Sequence, residues 1–398
     1  MLTLIDGKFA VGHPIILGII GGGQLGKMIA MEAKRMFMKV IVLDPSLDCP
    51  ASGVADIVME GHFSDAEKIY ELSKKVDIVT FEIELANVKA LERLEEEGKI
   101  VYPSSKVLQI IQNKYRQKKF LRDNKINVPD FEIVENEEQA KRVCKSFEFP
   151  VLLKACEDSY DGRGNYLIRS EGEVGQALQF FSGRQCMLEK FVRFRKEISI
   201  MIARNPSGCI SYFPVVENIH EDHILITTIV PARIDDKVKR KAIDMAVRTV
   251  ESLESVGIFG IEMFADDNDE VMINEIAPRP HNSGHYSIEA CSISQFEQHL
   301  RAILNLPMPK PFLLSDAVMM NILGPHDLAG PYAISGIRGL FSIPGCHLHI
   351  YGKLETKPKR KLGHVTVVGS NLDPTSLKYT IEDAIRIELL HQVSKCSN

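Results

Sequence analysis

Between positions 15 and 102, short apolar runs alternate with helix-period segments. Residues 15–20, 39–43, 77–81 and 100–102 read as buried strands, and 25–36, 65–74 and 87–96 as amphipathic helices. Strand–helix alternation of this kind predicts a parallel sheet with helices on both faces. From 104 to 124 the pattern is helical and basic, and it closes near Pro129. The texture then changes. A helix is expected over 137–146, strands over 151–154, 186–190, 197–203, 210–213 and 224–229, and a long amphipathic helix over 237–253. Residues 258–265 and 270–276 read as a hairpin. This middle block lacks βαβ regularity and reads as α+β. From about Asp316 onward come short strands rich in glycine and proline, closed by a helix over 381–390. The expected fold class is thus α/β and α+β. Its parts are an N-terminal Rossmann-like parallel sheet in 1–113, a central α+β domain in 114–312 and a small C-terminal β-rich domain in 313–398.

Composition narrows the function classes. Of 398 residues, 45% are hydrophobic and 25% charged, enough apolar surface for a folded core and too much for a disordered chain. The net charge is −5, whereas a dedicated nucleic-acid binder carries a basic excess. The longest apolar run, 14–20, is too short to cross a bilayer, which needs ~20 residues, so no membrane partner is expected. The first residues lack a basic start followed by a long apolar segment, so a secretory signal is not expected. The eight cysteines are scattered without a C-x-x-C pair, which points to reduced thiols in a cytoplasm-like compartment without zinc or disulfides.

Five segments carry candidate chemistry. The first is LGIIGGGQLG, with G-x-G-x-x-G at Gly21, Gly23 and Gly26 after a strand and before a helix. Such a turn lets backbone approach an anion at a helix N-terminus, and Asp44 stands where a dinucleotide fold keeps its ribose-binding acid. An NAD-dependent oxidoreductase is therefore one reading.

The second is the hairpin GIEMFADDNDEVMINEIAPRPHNSGH. With its turn centred between Asp267 and Asn268, Glu262 lies opposite Ile273, and Glu275 follows two residues on along the same face. Two carboxylates in an apolar setting call for a hard divalent cation such as Mg²⁺. Arg279, His281 and Asn282 follow directly; His281 and His285 sit in a Pro- and Gly-containing loop, not on a zinc-binding helix. The third, VLLKACEDSYDGRG, sets Lys154 at a strand end before a glycine-containing loop, which suits a phosphate clamp. The fourth, MLEKFVRFRKEISI, offers an extended backbone to a base edge and Glu197 to ribose hydroxyls. The fifth, YGKLETKPKRKLGH, has five basic residues against one acid and can receive a phosphate.

The order of these parts resembles the ATP-grasp superfamily. The strings GGGQLG, YDGRG and NEIAPRPHNSGH are similar to the 5-(carboxyamino)imidazole ribonucleotide synthetase family of purine biosynthesis, from about Ile16 to at least His364. The resemblance implies a central ATP-grasp domain and a ligase that joins bicarbonate to 5-aminoimidazole ribonucleotide, with ATP and Mg²⁺ as cofactors. It implies ATP contacts at Lys114, Lys154, the loop Ser159, Tyr160, Asp161, Gly162, Arg163 and Gly164, then Glu189, Lys190, Phe191, Val192, Glu197, His220, Asn274 and Glu275. Glu262 and Glu275 would hold Mg²⁺. Arg279, His281 and Asn282 would position bicarbonate or its carboxyphosphate. Gln24, Tyr160, Asp161, Arg163, Lys353, Arg360 and Lys361 would face the ribonucleotide, with Lys353 also near the reacting group. A cytoplasmic homodimer is the expected assembly. The 159–164 loop carries fewer glycines than the family's usual form, and Ala277 stands where many ATP-grasp enzymes have asparagine. The alternatives are another ATP-grasp ligase, such as formate-dependent glycinamide ribonucleotide transformylase, the NAD oxidoreductase, or a non-catalytic nucleotide-binding module.

Overall fold

The computed structural model describes residues 12–157 and 164–390. Its first part is a five-stranded parallel sheet in the order Ile57–Glu60, Lys39–Asp44, Ile16–Ile20, Ile78–Phe81, Ile100–Val101. Both faces are covered, as parallel sheets require. Leu17 and Ile19 pack with Leu25, Met28 and Ile29 of the helix Gln24–Arg35. Ile20 and Phe81 pack with Ile69 and Leu72 of Ala66–Ser73 and with Leu91 and Leu94 of Val88–Glu96. The edge strand Ile57–Glu60 carries no hydrophobic run long enough to announce it, and Ile57 is half exposed.

The basic stretch 104–124 is two helices, Ser105–Ile111 and Lys114–Asp123, where the sequence pattern suggested one. Asn113 makes the break: its side chain accepts the Arg116 N–H and caps the second helix.

Two further sheets follow. An antiparallel four-stranded sheet runs Phe131–Val134, Cys186–Lys190, Val151–Ala155, Asn165–Ile168. A nine-stranded sheet starts at Val271–Ala277 and passes through Gly257–Ala265, Lys196–Arg204, Val216–Glu221 and Ile224–Val230; Ile210–Tyr212 pairs beside Lys196–Arg204. The same sheet continues without interruption into the C-terminal strands Ala317–Leu323, Lys361–Val368 and Cys346–Ile350. Helix Asp236–Leu253 lays Val238, Ala242, Ala246, Val250 and Leu253 on Ile200, Ile202, Phe259 and Ile261, a stripe at helical spacing.

A helix absent from the sequence reading, Gln295–Ile303, ties the parallel sheet to the central one. It buries Phe296, Leu300 and Ile303 in the core that Leu17 and Val40 line. Its His299 bridges Thr80 Oγ1, 3.0 Å away, and the Ile258 N–H, 3.3 Å away. Near the C-terminus the helix is Pro374–Ala384 rather than 381–390, and Arg386–Leu389 is a strand paired with Gly330–Ser335. Asp373 caps that helix by accepting from Thr375 and Ser376, with Pro374 in the first turn.

Candidate functional site

The glycine turn already holds a carboxyl group, and it is the chain's own. Gly23 and Gly26 donate their N–H groups to the two oxygens of Glu82, at 2.6 and 3.2 Å, and Gly22 donates to Asp44 Oδ2 at 2.8 Å. A Cβ on Gly23 would lie 2.5 Å from Glu82 Oε1, so glycine is needed for this approach. Asp44, read above as a possible ribose-binding acid, is committed to the turn. Burial pushes the Glu82 carboxyl up to about 7. Gln24 opens the helix beside it, half-buried.

The carboxylate hairpin departs from the expected register. Asp266 accepts from Asn268 and Glu270, which centres the turn on Asn268. Met263 therefore faces Ile273, where Glu262 was expected. A bulge then intervenes at Asn274, and Glu262 pairs directly with Glu275. The bulge breaks the period of two: Ile273 and Ile276 are buried, while Asn274 and Glu275 between them are not. Both carboxylates thus leave the apolar interior together, and Asn274 lines the same small cleft as Glu262, Glu197, Asn218 and His220.

Electrostatics mark this cleft as wanting a cation. Desolvation, and Glu275 beside it, push Glu262 up to about 7 against the pull of His220. The Glu197 carboxylate contacts His220 Nδ1 directly. Burial would lower the His220 pKa, but Glu197 and Glu262 raise it. Lys114, at the start of its helix, reaches to 3.7 Å from Glu275. Among the described residues no three His, Cys, Asp or Glu side chains form a cage that could hold a metal. Two carboxylates and an amide oxygen fit Mg²⁺, which keeps open positions for water and phosphate oxygens.

Lys154 and Glu189, on neighbouring strands, meet at 2.5 Å. A third group, Lys118, escaped the sequence reading. It lies 2.9 Å from Glu189, without the geometry of a hydrogen bond, and donates to the Ile273 carbonyl at 3.1 Å. All three are buried. Burial opposes the Glu189 charge, yet Lys118 and Lys154 hold its pKa below the usual range, while burial lowers that of Lys118. Beyond Glu189, Lys190 binds the Asp130 carbonyl through its N–H at 2.8 Å, and Phe191 and Val192 leave the strand half-buried. Gly164 accepts from the Ala155 N–H at 2.9 Å. Ser159, Tyr160, Asp161, Gly162 and Arg163 lie outside the described residues.

The loop after the hairpin is gripped from several sides. Gly260 makes room for it, since a Cβ there would sit 2.5 Å from His281 Cβ. Arg279 pairs with Glu84 of the parallel-sheet part at 2.8 Å, and its Nε is buried without a partner. His281 Nε2 stands 3.5 Å from Glu262, and burial followed by the Arg279 charge keeps the imidazole well below its usual pKa. Asn282, read above as a bicarbonate contact, has its amide engaged reciprocally by Asn321. Under the loop runs a buried chain, Ser283 to Ser199 to Asn218 to Thr228, with links of 2.8, 2.8 and 3.0 Å. None of Glu82, Glu84, Lys118 or Asn321 sits in a motif; the polar letters in apolar strings such as VTFEIE and MMNIL were the one available signal.

The three C-terminal cations differ in placement. Lys361 acts electrostatically on His220, Glu262 and His281, so it belongs with the carboxylate cleft. Lys353 lies 5.7 Å above the Tyr351 ring. Arg360 donates to the Glu355 carbonyl at 2.8 Å, and its charge is felt at Tyr332.

Three family matches cover most of the chain: the ribonucleotide synthetase preATP-grasp domain over 15–112, the ATP-grasp domain over 119–296 and the phosphoribosylaminoimidazole carboxylase C-terminal domain over 317–376. The chain is 40% identical to N5-carboxyaminoimidazole ribonucleotide synthase of Bacillus subtilis, over 88% of this chain and 90% of that protein. The structure of N5-carboxyaminoimidazole ribonucleotide synthetase from Thermotoga maritima superposes with a TM-score of 0.86 at 44% identity, covering 94% of this chain and 99% of the other. That of the Aspergillus clavatus synthase in complex with ADP and 5-aminoimidazole ribonucleotide superposes with a TM-score of 0.85 at 32% identity, covering 93% and 99%.

Proposed function

The chain belongs to the N5-carboxyaminoimidazole ribonucleotide synthase family, and from that premise we propose how its residues divide the work. It is an ATP-dependent ligase that carboxylates 5-aminoimidazole ribonucleotide in purine biosynthesis. Bicarbonate is a poor electrophile. Phosphoryl transfer from ATP makes it carboxyphosphate and releases ADP. The activated carboxyl then passes to the exocyclic amine, and phosphate leaves.

Lys114, Lys154, the 159–164 loop, Glu189, Lys190, Phe191, Val192, Glu197, His220, Asn274 and Glu275 form the ATP side. Lys154 supplies charge to the phosphates; the strand end at Glu189 and Lys190 offers backbone to the base. Glu262 and Glu275, with Asn274, would hold Mg²⁺, which supplies charge neutralisation on phosphate oxygens. Arg279 and His281 face bicarbonate, His281 as a neutral donor or acceptor. Asn282, its amide shared with Asn321, orients the loop. Gln24, Tyr160, Asp161, Arg163, Lys353, Arg360 and Lys361 take the ribonucleotide, with Lys361 nearest the carboxylate cleft. The segments 1–113, 114–312 and 313–398 carry acceptor, nucleotide and acceptor-phosphate functions in turn. A homodimer in a reducing, cytoplasm-like compartment completes the proposal.

The observation that carries this division is the bulge that sets Glu262 against Glu275 beside Lys114. The test is ADP release measured with bicarbonate and aminoimidazole ribonucleotide added singly and together. Full turnover needs both. Equal ADP release with glycinamide ribonucleotide and formate would move the chain to the other ligase.

A further inference from the structure

Beneath the two segments that meet the reacting groups lies a buried polar cluster that the chemistry above does not use. His349 and His364 face each other across adjacent strands, and their rings stack at 4.3 Å and 8°. The His285 ring lies 4.7 Å from that of His364. Tyr351, 2% exposed, places its hydroxyl 3.0 Å from His364 Nδ1, and the Asn282 amide acts on the same hydroxyl.

The cluster grips both segments. On one side, Gln295 holds His285 Nδ1 at 3.0 Å and clamps the His281 backbone, accepting its N–H at 2.9 Å and donating to its carbonyl at 2.8 Å. On the other side, the Tyr351 ring lies beneath Lys353, two residues on. Asn321, the ladder partner of His364, engages Asn282. At its margin His349 Nε2 meets Glu289 at 2.6 Å. His285 Nε2 and His364 Nε2 are buried without a hydrogen-bond partner.

Buried, unpaired imidazole nitrogens cost stability, and apolar side chains of similar volume would fill this space at less cost. What the polar groups add is direction. An aliphatic contact slides; a hydroxyl aimed at a ring nitrogen and an amide does not. The strands and the loop joined here lie far apart in sequence, so no local structure sets their spacing.

We propose that His285, His364 and Tyr351 form a positioning unit that holds the loop Arg279–Asn282 in register with Lys353, so that the carboxyl group reaches the amine before water does. This rests on the reading of the reaction given above. Loss of register has a defined chemical outcome: water attacks carboxyphosphate, giving back bicarbonate and releasing phosphate, so that ATP is spent without product.

The experiment compares ADP released with aminoimidazole ribonucleotide consumed in the full-length enzyme. Tyr351→Phe removes one oxygen and keeps the ring under Lys353; His364→Phe keeps the stack and removes the nitrogens. The wild type is expected to release one ADP per ribonucleotide. Each variant is expected to release roughly three to ten, with the KM for ATP unchanged, since small misplacements of reacting groups cost large factors in rate. A purely structural role would lower the melting temperature or the amount of active enzyme and leave the ratio at one. That result, in either variant that folds, overturns the proposal. A wild type that consumes no aminoimidazole ribonucleotide overturns the reaction itself, a separate outcome.

Discussion

Replacing Glu189 with glutamine measures what the buried charge between Lys154 and Lys118 holds together. The carboxylate is 1% exposed, with Lys154 at 2.5 Å and Lys118 at 2.9 Å. Glutamine preserves the shape and removes the charge, which leaves two buried ammonium groups with no carboxylate between them and only Glu275 still acting on Lys118. For hydrogen bonding Lys118 would keep only the Ile273 carbonyl. Breaking a buried ion pair by removing one partner costs ~3–5 kcal/mol. Lys118→Met alone should cost less, because Glu189 and Lys154 remain a neutral pair. In the double variant Lys154 faces a neutral amide and the second cation is gone. The double variant should therefore be more stable than the sum of the singles predicts, by ~0.5–3 kcal/mol. Urea unfolding midpoints for the wild type and the three variants give the cycle, and the KM for ATP gives a parallel reading at the cleft. Strict additivity, or a cost below ~1 kcal/mol for Glu189→Gln, would refute the claim that this triad is coupled through charge.

Three further outcomes follow from the site, and a fourth from the ion pairs that Glu217 makes with Lys196 and Arg233 elsewhere in the central sheet. Glu275→Gln should lower turnover by orders of magnitude, and Glu262→Gln should do the same while raising the melting temperature of the ligand-free protein, because it relieves a desolvated carboxylate beside Glu275; near-wild-type turnover of Glu275→Gln at millimolar Mg²⁺ would sink the metal assignment. Calorimetry should detect no NAD binding, since Glu82 already occupies the glycine-turn donors, and micromolar affinity would revive the oxidoreductase. Arg360→Ala should reduce kcat/KM for the ribonucleotide about ten- to a hundredfold, the worth of a charge-assisted hydrogen bond, with little change in the KM for ATP; the reverse pattern would assign it to the wrong ligand. Burial opposes the Glu217 charge, but Arg233 and Lys196 outweigh it and lower the pKa, so its stabilisation is complete above the ordinary carboxylate range and fades as pH falls through the folded value. Glu217→Gln should flatten the acid limb of the stability profile, and an unchanged limb would contradict this.

Periodicity and turn chemistry disclosed the parallel sheet, most central strands and the hairpin, because each of these buries a regular stripe. The hairpin register was not legible. A half-residue shift in turn centre, which moves the pairing by one, and a bulge at Asn274 depend on how Asp266 folds back on the turn, and no pattern of period two contains that. The break at Asn113 was missed, because the basic run around it read as continuous helix. Helix Gln295–Ile303 was legible and was missed: Ser294 caps it, and Phe296, Leu300 and Ile303 form an apolar stripe at helical spacing. The motifs supplied the residues proposed to face ligands. Glu82, Glu84, Lys118 and Asn321 face those residues instead, and partners of that kind come from distant positions that only the fold brings near.

The uninterrupted nine-stranded sheet bears on how the chain can be cut. A scission between the expected second and third segments, near 313, would leave Ile224–Val230 as an open edge, since its outer neighbour is Ala317–Leu323. That strand reads ILITTIV, with no charge and no proline, and six of its seven residues are buried. Exposed strands of this composition recruit other strands and nucleate fibrillar aggregates. A fragment ending there should precipitate rather than persist as a soluble ATP-binding core.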